Sequence, residues 1–193
     1  MNKTTLLVLG GIAAIVMWAI SVYNGLVTKD EGVKTSWANV ETQYQRRMDL
    51  IPGLVNIVKG YASHEKETFE AVVNARAAAT QIKLDMDDLS EENLAKLQAA
   101  QNTLSGALGR LMAITENYPE LKANEQFKEL QAQLEGTENR IAESRRVYNE
   151  TAKEYNTEIR VFPGSIVANI FGFREHGYFK SDEQASKAPT IQF

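Results

Sequence analysis

Side chains able to hold a metal, move a proton or attack a carbon are scarce in this chain of 193 residues, which has no cysteine and two histidines. His64-Glu65 suggests a zinc or acid/base pair. A helical metalloprotease motif needs a second histidine one turn on, and Thr68 and Phe69 stand there instead. A di-iron bundle needs two Glu-x-x-His sets, and Tyr61 and Phe173 occupy the positions three before His64 and His176. No Gly-rich phosphate loop follows a strand pattern, no serine sits in a nucleophile elbow, and Gly10-Gly11 falls inside an apolar run. The residues therefore predict no catalytic site, no metal and no cofactor.

Recognition chemistry is better represented. Arg46, Arg47 and Asp49 lie beside Pro52, where adjacent positive charges would suit an anionic partner or a lipid headgroup. The plainer reading pairs Asp49 with Arg46 at i, i+3 spacing, worth about 0.2–0.5 kcal/mol, and leaves Arg47 solvated. The second group is aromatic: Phe171, Phe173, Tyr178, Phe179 and Phe193, with Ile191. These residues either close one end of a helical body or form a tail that inserts into a neighbouring subunit or partner. In the second case Ile191 and Phe193 share one face of an extended segment, because side chains alternate along it.

The elements that carry these groups begin with an uncharged stretch between Lys3 and Lys29, almost wholly apolar from Leu6 to Val22. Its nine Leu, Ile and Val residues favour insertion by roughly 3 to 5 kcal/mol, and a helix of that length nearly covers a hydrocarbon core. Trp18 and Tyr23 lie toward the downstream end, where amphipathic rings favour the headgroup region. A cleaved signal peptide, with Ala19-Ile20-Ser21 at the cleavage spacing, fits less well because the apolar run is long and helical patterning resumes soon after Asn24-Gly25. The first expected partner is thus a lipid bilayer, through residues 4–23. The side of the membrane on which the body lies stays open, since Lys and Arg are distributed without strong bias.

About 165 residues follow, enough for one domain with a real core. The net charge of −4 and the lack of an aromatic-interleaved basic cluster argue against nucleic acid as a partner. Trp37, Val40, Tyr44, Met48, Ile51, Val55, Val58 and Ala62, then Phe69, Val72, Arg76 and Ala79, recur at helical steps, with a kink or break expected near Ile51 because of Pro52. A turn over residues 85–90 leads to a helix with the stripe Leu94, Leu97, Gln101, Leu104, Leu108, Leu111 and Ile114. Pro119 is expected to open a third helix, whose stripe runs from Phe127 through Leu134, Ile141, Tyr148 and Tyr155 to Phe162. Phe162-Pro163-Gly164 stops it, and Ser165 to Phe171 reads as a short helix ended by Gly172. The fold class is all-α: an N-terminal transmembrane helix followed by an up-and-down-type antiparallel four-helix bundle with long helices. The divisions expected are an anchor over 1–26, a bundle over 27–172 and a C-terminal aromatic tail over 173–193.

Several blocks resemble the LemA family of bacterial single-pass membrane proteins. The strongest runs from Arg46-Arg47-Met48-Asp49-Leu50-Ile51-Pro52 through Gly60-Tyr61-Ala62 to His64-Glu65, with Tyr23-Asn24-Gly25 and Trp37 before it and Ala75-Arg76-Ala77 after it. Tyr155-Asn156, Phe162-Pro163-Gly164, Phe171-Gly172-Phe173, Tyr178-Phe179, Ala188-Pro189 and Phe193 continue the match. Gly53 stands where the family pattern commonly has asparagine. The resemblance implies a membrane helix ahead of a helical bundle, a bacterial cell (inner) membrane location, and no assigned catalytic residue. A scaffold or interaction protein is the function expected, with a homo-oligomer or membrane protein partner. A sensory bundle that passes movement through the anchor is the alternative, and a membrane hydrolase is a distant third.

Overall fold

The structure is a computed structural model that describes residues 2–180. All the regular secondary structure among the described residues is helical, in the order α1 (Lys3–Tyr61), α2 (Lys66–Gln81), α3 (Glu91–Thr115), α4 (Pro119–Ala123), α5 (Glu125–Arg160) and α6 (Gly164–Phe171). At about 1.5 Å per residue, the 59 residues of α1 extend roughly 90 Å. Its first third is long and apolar enough to cross a bilayer, and none of that window is buried among the described residues. The remainder of α1 is the central rod of the core.

α1 and α5 run antiparallel. Lys29 meets Glu158 near one end, Arg47 meets Glu138 in the middle, and Asn124, just before α5, reaches Tyr61 at the other end. α2 packs on α3, and α6 lies against both α1 and α5. The stripes read from the sequence face inward: Val40, Ile51, Val58, Val72, Leu94, Leu104, Leu111 and Tyr148 are all fully enclosed. Two apolar clusters result. One joins the C-terminal half of α1 to α2, α3 and the start of α5, and the other joins Leu26 to Tyr44 with Leu94, Leu97 and the later part of α5.

Three expectations are corrected. α1 does not break near Ile51; it continues unbroken through Pro52 to Tyr61. A proline removes the donor for the carbonyl four residues earlier, here that of Met48, and the Arg76 guanidinium supplies the missing bond, Nε donating to Met48 O at 3.0 Å. That bond also explains why an arginine stands within the apolar stripe of α2. Pro119 opens only the five-residue α4; the long α5 starts at its own cap, Asn124, whose side chain accepts from the Phe127 N–H at 3.0 Å. Phe162 is not the last buried member of the α5 stripe, because α5 ends at Arg160 and the Phe162 ring is 79% exposed. Gly172 takes the left-handed conformation expected of it, with φ of 77°, and ends α6.

Candidate functional site

The basic pair separates on folding. Successive residues on a helix are turned by about 100°, so Arg46 and Asp49 point outward while Arg47 points into the body and is 1% exposed. The reading of Arg47 as solvated is therefore overturned. Its Nη1 donates to both carboxylate oxygens of Glu138, at 2.8 and 3.0 Å, and to Ser105 Oγ at 2.9 Å, while Nη2 donates to Gln101 Oε1. Three helices, α1, α3 and α5, are joined at this one guanidinium. Its Nε has no hydrogen-bond partner among the described residues. Asp49 is engaged by Gln45 within α1, Nε2 donating to Oδ1 at 2.8 Å, rather than by Arg46.

The C-terminal aromatics also separate into two groups. Phe171 and Phe173 pack on Tyr23 of α1, with ring centroids 4.7 and 5.6 Å away. Phe179 is buried between Trp37 and Tyr148, with Arg145 over its face at 5.1 Å; the same guanidinium donates to Tyr44 Oη at 2.8 Å. Tyr178 stays exposed, and its hydroxyl accepts from Asn156 Nδ2 at 3.0 Å. Ile191 and Phe193 lie outside the described residues.

The backbone of residues 176–180 is held by carboxamides, a feature the sequence reading did not anticipate. Asn156 donates to His176 O at 2.7 Å and accepts from His176 N at 2.9 Å; Asn149 does the same with Phe179, both at 2.9 Å; Gln98 does so with Lys180, at 2.7 and 3.1 Å. A carboxamide carries donor and acceptor side by side as a peptide edge does, so each pair copies one rung of a β-ladder. Gly177 fills the gap between rungs: its N–H donates to Leu89 O at 2.7 Å, and its carbonyl accepts from Tyr148 Oη at 3.2 Å. A Cβ there would fall 2.6 Å from the Glu91 backbone, so only glycine fits. The legible signal was a repeated dipeptide, Tyr148-Asn149 and Tyr155-Asn156, one heptad apart on α5. Each tyrosine is buried and each asparagine reaches the tail.

A chain of polar contacts ties the same segment to α1 and to the turn before α3. His176 Nε2 lies 2.7 Å from Asp30 Oδ1, Asp30 Oδ2 lies 3.3 Å from Lys34 Nζ, and Lys34 Nζ lies 2.6 Å from Asp87 Oδ1. The hydrogen bond to Asp87 raises the Lys34 pKa above its ordinary value, and the same contact holds Asp87 below its own. Burial pushes Tyr155, beside His176, up to about 12, and raises Tyr44 and Tyr148 as well. Among the described residues no group of three or more His, Cys, Asp or Glu is placed to hold a metal ion. His64 is exposed at the far end of α1.

This architecture defines an all-helical protein with a membrane-length leading helix and a body whose polar groups hold its own C-terminal segment. The model of the LemA family matches residues 36–193, and the chain belongs to that family. Magnetosome protein MamQ 1 of Paramagnetospirillum magneticum is 29% identical over 197 residues, covering 93% of this chain and 72% of that protein. Magnetosome protein MamQ of Magnetospirillum gryphiswaldense is 28% identical over the same 197 residues and the same shares. Protein LemA of Metamycoplasma hominis is 22% identical over 160 residues, 83% of this chain and 69% of its own.

Proposed function

We propose that this LemA-family chain is a bacterial membrane-anchored scaffold, held by α1 in the bilayer of the cell membrane and presenting a non-catalytic helical body for self-association or partner binding. The observation that carries this reading is the unbroken passage of α1 from an apolar stretch that is unburied among the described residues into the centre of the core. A cleavable leader has no need to share a helix with the core that remains, whereas an anchor that positions a body does. The all-helical body, in which α5 runs antiparallel to α1 and α2 packs on α3, supports reading it as an up-and-down-type four-helix bundle. Its buried ionisable side chains are engaged, Arg47 with the half-exposed Glu138 and His176 with Asp30, which favours a structural role over a catalytic one.

The test is the mass of the full-length chain in mild detergent beside that of residues 24–193, which retain the buried Leu26. A defined assembly larger than one chain, or a stoichiometric copurifying protein, supports the scaffold; a monomer in both forms at all concentrations with nothing copurifying contradicts it. One observation favours a second reading, a sensor. α1 links the span to the Arg47 junction without a break, so rotation at one end is felt at the other. A sensor predicts a ligand-dependent rise in melting temperature of residues 24–193.

A further inference from the structure

α6 and the turn before it carry the largest apolar exposures outside α1 among the described residues: Phe162 at 79%, Ile170 at 71% and Phe171 at 60%. The inner face of α6, Gly164, Val167 and Ala168, is buried, and Ile166 and Ile170 stand one turn apart on the outer face. Gly164 permits this close seating, since a Cβ there would lie 2.3 Å from the Glu158 carbonyl oxygen. No charged residue occurs between Val161 and Phe173, and an arginine closes the run at each end, Arg160 and Arg174. The side chain of Asn169 is satisfied within the helix, donating to Ser165 O at 2.8 Å.

The height of this face along α1 identifies what covers it. Phe171 packs on Tyr23, and Tyr23 directly follows the apolar run that ends at Val22. The next charge on α1 is Lys29, six residues further and about 9 Å higher along the axis. α6 therefore lies in an uncharged slab next to the apolar run, of the same thickness as the roughly 5–10 Å to which interfacial helices sink. Of the two flanking arginines, both exposed, Arg160 lies 3.7 Å from Glu175, Nε to Oε1, and long basic side chains at such an edge can lay an apolar stem along lipid.

We propose that the outer face of α6, together with Phe162, is embedded in the lipid interface beside α1, so that the protein meets one leaflet at two points. The bundle is then held at a fixed height and rotation above the bilayer instead of turning about a single anchor. This rests on the reading of α1 as a span. A bilayer is the occupant because the face is continuous with the apolar run and aligned with its end; a second copy requires no such alignment.

The chain has no native cysteine, so single substitutions take one label each. Full-length Leu9→Cys, Ile170→Cys and Glu129→Cys, each carrying an environment-sensitive fluorophore, are reconstituted in phosphatidylethanolamine/phosphatidylglycerol vesicles with nitroxides at shallow or deep acyl positions. The label at 170 is expected to be blue-shifted and to lose most of its emission to shallow nitroxides, the label at 9 to deep ones, and the label at 129 to neither. Quenching at 9 with a label at 170 open to aqueous iodide overturns the inference while leaving the anchor intact. Protection at 170 from both iodide and lipid nitroxides, relieved by dilution with excess lipid, assigns the face to a second copy and overturns it equally. No lipid quenching at 9 overturns the anchor reading and this inference with it.

Discussion

Arg47 and Glu138 differ in what they lose if parted: the guanidinium is 1% exposed and its carboxylate partner 41% exposed. Glu138→Ala leaves a charge buried with the neutral Gln101, Ser105 and Tyr44 ring to meet it, which costs about 3 kcal/mol. Arg47→Met fills the space with a flexible apolar chain and frees a carboxylate that water already reaches, so about 1 kcal/mol is expected. Chemical denaturation of residues 24–193 should rank the two in that order; the reverse order would show that the pair is not a buried-cation site. Arg76 is tested by its dependence on Pro52. Arg76→Ala removes the side-chain donor to the Met48 carbonyl and should cost about 1–2 kcal/mol, but markedly less in a Pro52→Ala background, where residue 52 regains its own N–H. Equal costs in both backgrounds would refute the compensation. At this scale the sequence was only partly legible. A charged residue within an apolar stripe, as Arg76 is, marks a buried partner without saying which. The direction of Arg47 was missed because two adjacent arginines look alike until the phase of the helix is fixed by its packing.

Helix α5 carries the tail through its paired Tyr-Asn dipeptides, and Gly177 sets how closely the tail approaches α3. Gly177→Ala forces that backbone away and should release residues 176–180 without melting the helices. Trypsin should then cut faster at Arg174 and Lys180, and Trp37, which stacks on Phe179, should shift its emission, with helical circular dichroism unchanged. Unaltered protection would mean that the carboxamide rungs do not depend on the close approach. The helices themselves were readable, since apolar stripes, the Gly172 stop and the polar turn before α3 are local signals. The carboxamide clasp was not, because it pairs side chains with the backbone of an irregular segment, and hydrophobic periodicity carries no trace of such pairing. The continuity of α1 through Pro52 was hidden for the same reason: the compensating donor lies on another helix.

For the whole molecule, the buried tyrosines predict an alkaline limit. Tyr44, Tyr148 and Tyr155 keep their protons in the folded body beyond the ordinary value of 10.0, Tyr155 up to about 12, while the unfolded chain gives them up at about 10. Stability from these groups is complete below about pH 10 and is lost as pH rises toward 12. The melting temperature of residues 24–193 should fall by several degrees over that interval, with tyrosinate absorbance and loss of helix rising together. Full titration of all the tyrosines in a still-folded body would contradict it. The fold class was legible because the long stripes admit one economical way to be buried, and the apolar run was legible from length and composition alone. What the body binds was not, because recognition is written in surfaces assembled from several helices. The central claim is that α1 anchors this body in a bilayer, and the direct test is the fraction of full-length chain left in the membrane pellet after an alkaline carbonate wash, beside residues 24–193. Retention of the full chain with release of the shorter one is the predicted result; release of both would contradict the anchor.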